Sequence, residues 1–417
     1  MTSTLPLAPK ALHVRKATED DLPRLLDIHL GAYPDPRGLA SRRRSLETNA
    51  FGGLDDLYVI GRGERLLGHA FLYAMQGWFG GRRVRLGGIA SVAVAAEARG
   101  QGIARALIEH LHAVSHARGD AIALLYAFRY GFYRRLGYGP VTPLHQLEIA
   151  PSAIPAEWTR AARGAMRSLV PDDHDTLVRI YEAAAARSTG WLARRPLLWE
   201  KRLLDENRLW FIAEDERGYI AWTAEQREEN GPTRLIVHDL VAQDDDAWRV
   251  LWGHLGAQKD QVAWIEVGVA QDDPALFALS DADMHRPGLP RMEHPLGIVH
   301  AGPMVRVNDV AAALAARGYP AAGAGAESAL IVGVGASADR ATPLRIAIEN
   351  GTAHVTATDA PVDLLFSDAA VLASVAYGGV RPSQAARTGL VTARDRLTLG
   401  RADQLFAIPA FDALDPF

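Results

Sequence analysis

Apolar positions in the first third of the chain change repeatedly between strand spacing and helix spacing. Short apolar runs predict strands at 57–60, 69–73, 89–95 and 121–126. From Gly100 to His116 the apolar side chains recur at helical spacing, which predicts an amphipathic helix opened by glycines. This alternation of helix and strand is typical of an α/β domain, which we predict over residues 1–150.

A second α/β stretch repeats the same order of elements. Its predicted elements are strands at 210–213, 219–225, 233–242 and 262–269, and a helix at 246–255. The text PSAIPA breaks both periodicities, so we predict that the second domain occupies residues 151–297. The repeated order indicates a diverged internal duplication. However, the central strand leads into VAQDDDAWRV, which has acids where the first domain has glycines and arginines.

A third domain is predicted over residues 298–417. An Ala- and Gly-rich segment, 315–343, separates a predicted helix at 307–317 from predicted strands at 344–349 and 353–357, and a further helix follows at 367–377. The chain ends in ADQLFAIPAFDALDPF, with aromatic residues up to its last position. A terminus this apolar is predicted to be tucked into the protein. The whole chain is therefore predicted to combine α/β and α+β domains.

Composition narrows the class of protein. Hydrophobic residues make up 48% and charged residues 23% of the 417, as in an ordinary soluble globular protein. The formal charge of -4 gives no global field for a polyanion, so we expect no nucleic-acid partner. The sequence shows neither a signal peptide nor a run of about 18 apolar residues that would span a membrane. We therefore predict a cytoplasmic protein with no membrane partner.

Metal chemistry finds no support in the sequence. The chain has no cysteine, which excludes disulfides, thiolate metal sites and a cysteine nucleophile. The 14 histidines include no His-Glu-x-x-His or comparable spacing. His110, His112 and His116 face different sides of one predicted helix. We therefore predict no metal site.

One loop carries the strongest chemical signal. An apolar strand runs directly into Arg99-Gly100-Gln101-Gly102-Ile103-Ala104, and a helix follows. Glycines let backbone N–H groups close on a phosphate, and a helix N-terminus adds partial positive charge. Taken alone, the two glycines would be better explained by a tight strand-to-helix turn. The loop fits neither the Gly-x-Gly-x-x-Gly of a dinucleotide site nor the Gly-Lys-Ser/Thr of a nucleoside triphosphate site.

The order of strand, Arg-x-x-Gly-x-Ala loop, helix, strand and aromatic-rich helix resembles the GNAT superfamily of N-acetyltransferases. That resemblance implies acetyl-CoA as co-substrate. Its pantetheine arm would lie along the backbone of Val92, Ala93 and Val94, and its pyrophosphate on the loop. The run from Phe128 to Gly139 is similar to the superfamily's tyrosine segment and implies that Tyr133 is the general acid. The adjacent Arg134 and Arg135 either lower the pKa of Tyr133 or are solvated charges.

Nearly the whole chain resembles one branch, the enhanced-intracellular-survival family. Its members join an active GNAT domain, a degenerate GNAT-like domain and a sterol-carrier-like domain. In that family the chain ends in a phenylalanine whose terminal carboxylate enters the first domain and acts as general base, and this chain ends in Asp415-Pro416-Phe417. The resemblance also implies a hexamer. Without this architecture, Phe417 would be an ordinary apolar terminus.

Candidate residues for the acyl acceptor site are Asp27, Tyr33, Asp35, Phe128 and Arg129. On ordinary surface composition, both acids are more typical of a helix face or a turn than of a ligand-binding site. Family members that acetylate polycationic aminoglycosides carry small Ser-Glu-Gly steps where this chain has Phe128, Arg129 and Tyr130. A bulky ring and a cation there narrow the pocket and repel a polycation.

Two functions are weighed. The first is an N-acetyltransferase that transfers acetyl to a primary amine of a small molecule, a peptide or a lysine by direct attack in a ternary complex. The alternative is a protein that binds CoA or a lipid without acetyl transfer. The presence of both Tyr133 and Phe417 favours the enzyme.

Overall fold

The computed structural model describes residues 11–34, 38–203, 205, 207–226, 231–279, 295–320 and 329–417. The strands of this part of the chain are β1 (Leu12–Lys16), β2 (Leu57–Arg62), β3 (Arg65–Phe79), β4 (Arg82–Val94), β5 (Ile122–Leu125), β6 (Gly139–Pro140), β7 (Leu144–Ile149), β8 (Met166–Ser168), β9 (Leu209–Ala213), β10 (Gly218–Gln226), β11 (Thr233–Ala242), β12 (Trp264–Val269), β13 (Gly297–His300), β14 (Met304–Val307), β15 (Ala329–Val334), β16 (Leu344–Glu349), β17 (Thr352–Ala357), β18 (Leu364–Phe366) and β19 (Val391–Ala393). Its α-helices are α1 (Leu22–Ala32), α2 (Gly38–Glu47), α3 (Ile103–Ala117), α4 (Tyr130–Arg134), α5 (Ala156–Ala161), α6 (His174–Ala185), α7 (Pro196–Leu203), α8 (Asp245–Gly256), α9 (Ala275–Ala278), α10 (Val310–Ala316), α11 (Ala369–Tyr377), α12 (Pro382–Arg387) and α13 (Arg396–Leu405).

The first sheet has the strand order β1-β2-β3-β4-β5-β14-β6. Strands β4 and β5 are parallel, and the connection between them is α3. The predicted amphipathic helix is present: Ile103, Leu107 and Leu111 of α3 are buried in the core under the sheet. Strand β14 comes from the far side of the second domain, yet it pairs antiparallel with both β5 and β6.

The second sheet has the same order, which reads β8-β9-β10-β11-β12-β7-β13 from its other edge. Its parallel pair, β11 and β12, corresponds to β4 and β5 of the first sheet. This correspondence agrees with the predicted duplication. The inserted strand is β7, which precedes the predicted boundary at residue 150, just as β14 follows the one at residue 297. The first sheet therefore takes β14, and the second takes β7, from across a predicted boundary.

The third sheet has the order β17-β16-β15-β18-β19. Its central strand, β15, lies inside the Ala- and Gly-rich segment that we predicted to be a separator, so that prediction was wrong for residues 329–334. Leu330 and Val332 lie on one face of β15 and are fully buried, and this alternating burial between two neighbouring strands favours a strand despite the flanking glycines. The predicted helix at 307–317 is α10, which begins at Val310 after β14 has ended at Val307.

The last residues of the chain run back to the first two domains. Phe411 is fully buried, and its amide donates to the Thr142 hydroxyl. The next amide, of Asp412, donates to the carbonyl of Thr189 at 2.8 Å. The apolar terminus is therefore packed against the protein, as its sequence predicts.

Candidate active site

The first sheet opens between β4 and β5. The two strands pair only from Leu86 to Gly88, opposite Ile122 to Leu124, and β4 then continues to Val94. On its other side β4 has a bulge, because Ser91 has φ +50° and the register against β3 shifts there. Backbone groups of β4 beyond Gly88 therefore face a gap instead of β5. A ligand with amide groups can complete such an edge.

Tyr33, a predicted acceptor-site residue, lies at this gap. Its hydroxyl donates a 3.0 Å hydrogen bond to the carbonyl of Val92. The neighbouring Ala93 pairs with His69 of β3. The structure thus brings Tyr33 together with the β4 segment that the superfamily resemblance assigns to the pantetheine arm.

The predicted phosphate loop lies between β4 and α3. Gly100 and Gly102 have φ +76° and +78°, and a Cβ atom at either position would meet nothing within 4 Å. Their role is therefore backbone conformation and not close contact. Gly102 precedes Ile103, the first residue of α3, so the first amides of this helix have no partner within the helix. Such an N-terminus suits an anion.

Other predicted loop residues brace this turn. Arg99 donates from Nη2 to the carbonyl of Gly31 in α1 at 2.8 Å, which ties the loop to that helix. Gln101 donates from its side chain to the carbonyl of Glu97 at 3.0 Å. Ala104 follows within the first turn of α3.

Tyr133 lies in α4, and only 2% of it is exposed. The rings of Phe128, Phe132 and Tyr138 surround it edge-on, with centroids 6.2, 5.0 and 5.9 Å away. Burial, and to a lesser extent the neighbouring Tyr33, raises the pKa of the Tyr133 hydroxyl. It is therefore protonated at neutral pH and able to donate a proton.

The arginines after Tyr133 do not lower its pKa. Arg134 makes two hydrogen bonds to the carboxylate of Asp368, at 2.8 and 2.9 Å. Asp368 is the N-cap of α11 in the third domain. Arg134 therefore attaches α4 to the third domain, a role that the sequence alternatives did not include.

The end of the chain reaches the gap between β4 and β5. The ring of Phe417 lies 5.4 Å from that of Tyr126 and 5.8 Å from that of Phe51, measured between centroids. A Cβ atom on Gly88 would lie 3.0 Å from Cε2 of Phe417. Gly88 is the last residue of β4 that pairs with β5. The ring therefore occupies the point where the two strands part.

Two cavities flank the tail. The smaller, of about 600 Å³, is lined by Phe128, Tyr126 and Pro416, among others. Phe128 is 72% exposed and lies at the mouth of this cavity, whereas Arg129, the next residue, is exposed but is not one of the residues that line it. The larger, of about 1140 Å³, lies between the tail, Phe51 and the second domain.

Acids in the larger cavity were missed by the sequence analysis. Asp272, Asp273 and Asp412 line it, and Asp412 accepts a hydrogen bond from the indole of Trp191 at 2.7 Å. Burial raises the pKa of Asp273 to about 6, and Asp412 and Asp272 add to the shift. The only sequence signal was an Asp-Asp pair after a predicted strand.

The predicted acids have other positions. Asp27 is exposed on α1 and lines neither of the two cavities just described. Asp35 lies outside the described residues. Among the described residues, no cluster of three or more His, Cys, Asp or Glu could hold a metal ion, and no helix is long and apolar enough to cross a membrane.

Comparisons with known proteins agree with this geometry. Two acetyltransferase (GNAT) domain families match residues 13–141 and 190–307, and a sterol carrier protein domain family matches residues 310–410. The N-acetyltransferase Eis of Mycobacterium tuberculosis and that of Mycobacterium bovis are each 27% identical to this chain, over 94% of it and 95% of their own length.

Solved structures extend the likeness to the whole fold. A GCN5-related N-acetyltransferase from Anabaena variabilis superposes with a TM-score of 0.80 at 25% identity, over 98% of this chain and 100% of that one. Eis1 from Mycobacterium abscessus has the same fold, with a TM-score of 0.74 at 24% identity over 98% and 100% of the two chains. The chain is thus an N-acetyltransferase with two GNAT domains followed by a sterol carrier protein domain, and it is similar to Eis over nearly its whole length.

Proposed function

We propose that this chain transfers the acetyl group of acetyl-CoA to a primary amine of a small molecule, a peptide or a lysine side chain. GNAT acetyltransferases use acetyl-CoA as co-substrate. The Gly100–Gly102 turn and the open edge of β4 suit its pyrophosphate and its amide-bearing arm. The observation that most supports the proposal is the contact of the Phe417 ring with Gly88, because it brings the end of the chain to that edge.

The α-carboxylate of Phe417 is the proposed general base. An α-carboxyl group has an ordinary pKa of about 3.5, so it is ionised at neutral pH. It takes a proton from the acceptor ammonium, and the free amine then attacks the thioester carbonyl within the ternary complex. The ring of Phe417, held among Phe51, Tyr73 and Tyr126, fixes the position of this carboxylate.

Tyr133 is the proposed general acid. The carbon–sulfur bond breaks as the tetrahedral intermediate collapses, and the leaving thiolate takes the proton of the Tyr133 hydroxyl. The acylated nitrogen then releases its surplus proton, which restores the Tyr133 hydroxyl and leaves a neutral amide. The raised pKa keeps this proton on the tyrosine until the thiolate forms. The burial of Tyr133 among three aromatic rings also keeps bulk water from competing as the proton donor.

For the acceptor we propose a compact amine. The acids Asp272, Asp273 and Asp412 of the larger cavity favour a cationic group beside them, whereas the basic side chains that line the same cavity oppose a second one: Arg187, Lys201, Arg202 and Arg208. The exposed Arg129, which follows Phe128 of the smaller cavity in the chain, adds a positive charge that repels a polycation such as an aminoglycoside. The substrate panel therefore includes aminoglycosides, because their acetylation would contradict this proposal.

The test is thiol release from acetyl-CoA against a panel of amines. The chain has no cysteine, so the thiol background is clean. The wild type is compared with Tyr133→Phe and with a variant extended by two residues after Phe417. We expect each change to lower kcat by about 10²–10⁴-fold, the usual contribution of a general acid or base.

Tyr138→Phe is the matched control. It removes a tyrosine hydroxyl from the same aromatic cluster, but that hydroxyl bonds His112 at 2.9 Å and has no proposed proton to give. It should retain kcat below its melting temperature. An extended variant with wild-type kcat would show that the terminus only packs. Turnover of no amine would favour a protein that binds CoA or a lipid without acetyl transfer.

We further propose a hexamer that works in the cytoplasm without nucleic-acid or membrane partners. The hexamer follows from the family resemblance. It is supported by the edge strand β13, where Ile298 and Val299 are 58% and 63% exposed, because apolar sheet edges favour association. Light scattering coupled to gel filtration should give six times the chain mass of 45.1 kDa.

A further inference from the structure

The second domain has a gap that corresponds to the one in the first domain. Strand β11 pairs with β12 from Arg234 to Val237 and then continues to Ala242, as β4 continues past β5. Here the following helix, α8, is capped by a carboxylate of the chain itself, because Asp244 accepts from the amide of Ala247 at 2.9 Å. With that acid in place, an added phosphate is repelled.

The C-terminal tail of the chain lies along this second gap. Ala413, Leu414 and Pro416 line the same cavity as Val237 and Asp244. Asp239, two residues beyond the last pair of β11 with β12, is fully buried there. The tail thus follows the strand edge that corresponds to the cofactor edge of the first domain.

Arg194 joins the tail to that edge. Its guanidinium donates to both oxygens of Asp239, at 2.7 and 3.0 Å, and its Nε lies 3.0 and 3.2 Å from the oxygens of Asp415. The side chains of all three residues are fully buried. The guanidinium lies over the rings of Tyr181 and Trp199, 4.0 and 4.7 Å from their centroids.

Arg202 completes the network. It contacts the carboxylates of Asp239 and Asp415 and donates to the carbonyl of Leu414 at 3.1 Å. Two cations therefore face two carboxylates, and the buried charge is balanced. A buried ion pair of this kind adds little net stability compared with apolar packing, so its effect on geometry is the more informative one.

Asp415 is close enough to the chain end to determine its position. Two residues span at most about 7 Å of extended chain. One of them is Pro416, whose ring restricts φ and removes much of the freedom between Asp415 and Phe417. A shift of the Asp415 carboxylate is therefore transmitted to the Phe417 carboxylate.

We propose that Arg194 is a positioning residue, which grips Asp415 so that the second GNAT-like domain places the Phe417 carboxylate in the active site of the first. The domain that holds no cofactor thus acts as a clamp on the catalytic tail. This inference rests on the proposed function, in which that carboxylate is the base.

The test uses the full-length protein and steady-state kinetics. Asp415→Asn should lower kcat on the order of 10²-fold, because a displacement of about 1 Å of a reacting group costs that much. The KM for acetyl-CoA should stay unchanged, since the loop and β4 are not touched. Arg194→Lys keeps the charge balance but lacks the planar guanidinium that holds two carboxylates. It should therefore also lower kcat and leave the KM for acetyl-CoA unchanged.

Asp173→Asn is the matched control for a merely structural effect. Asp173 is also buried in the second domain and accepts two hydrogen bonds from Arg167, at 2.7 and 2.8 Å, but it does not contact the tail. It should lower the melting temperature as Asp415→Asn does and retain kcat. Asp415→Glu, which restores the charge with one extra methylene, should recover part of the lost kcat.

The possible outcomes distinguish a failure of the clamp proposal from a failure of the proposed function. If the wild type acetylates amines while Asp415→Asn and Arg194→Lys keep wild-type kcat, the clamp is overturned and the proposed function stands. The clamp is also overturned if kcat falls in proportion to melting temperature in all variants, Asp173→Asn included. If the wild type acetylates no amine, both proposals fail together.

Discussion

Gly88 is the residue at which the C-terminal tail meets the first sheet. Alanine there would place its Cβ 3.0 Å from the Phe417 ring and also against the end of Met75. We expect Gly88→Ala to lower kcat by displacing the ring, and to cost about 1–3 kcal/mol of unfolding free energy through overpacking. Steady-state kinetics and denaturant unfolding measure the two effects.

A double-mutant cycle with Phe417→Ala identifies the clash. If the ring is the obstacle, Gly88→Ala should cost less in the Phe417→Ala background than in the wild type. Equal costs in both backgrounds would mean that Met75, and not the tail, resists the added methyl group.

Gly102 tests the phosphate loop at the residue scale. Its φ of +78° is strained for alanine by about 1–2 kcal/mol, although the space around it is open. We expect Gly102→Ala to raise the KM for acetyl-CoA and to leave unchanged the proton-transfer steps proposed for Tyr133 and Phe417. Gly400 of α13 is the control, because it also has open space but no positive φ. A parallel rise in KM for Gly400→Ala would refute a role for the loop conformation.

Local motifs predicted the residues that lie close together in the sequence. The phosphate loop and Tyr133 fall within one continuous stretch, so their order alone indicated a site. Asp272 and Asp412 are separated by 140 positions and meet only because the tail folds back, which no local pattern reveals. The pairing of Arg134 with Asp368 of the third domain is hidden in the same way.

At the scale of elements, strong local periodicity gave reliable predictions. Strands β11 and β16 have the bounds predicted from the sequence. Strand β15 was missed because glycine and alanine around it lower the strand signal, while its burial depends on neighbours distant in sequence. Strand β14 lies in the first sheet and β7 in the second, and both positions also depend on pairing between segments distant in sequence.

Helix α8 tests whether the second domain binds a cofactor. Because Asp244 already caps this helix, titration calorimetry should find one acetyl-CoA per chain. Asp244→Ala should lower the unfolding free energy by about 1 kcal/mol without creating a second site. Asp309→Ala is the matched control, since it removes the equivalent N-cap of α10 in the third domain. Two molecules of acetyl-CoA per wild-type chain would contradict the clamp role of this gap.

At the scale of the molecule, buried histidines make stability depend on pH. Burial lowers the pKa of His69 and of His112 to about 3, with smaller effects of His29 and Arg306. The unfolded chain, with a histidine pKa of about 6.5, binds more protons between pH 6.5 and 3, so stability falls as the pH decreases through this range. At pH 5 the loss should be about 2 kcal/mol per histidine. His69→Gln should flatten the dependence of the melting temperature on pH; an unchanged slope would show that His69 does not contribute.

The exchanged strands and the tail also determine how the whole molecule unfolds. One core cluster contains Leu107 of the first domain and Leu372 of the third, and β7 and β14 join the first domain to the second. We therefore expect a single cooperative transition in denaturant.

The nine tryptophans provide a domain-specific probe, because one is Trp78 and the other eight lie between residues 158 and 264. Tryptophan fluorescence thus reports mainly on the second domain, whereas far-ultraviolet circular dichroism reports on all three. Coincident midpoints would show that the domains unfold together. Separate midpoints would contradict this prediction and show that the second domain, with its clamp, opens independently of the catalytic domain.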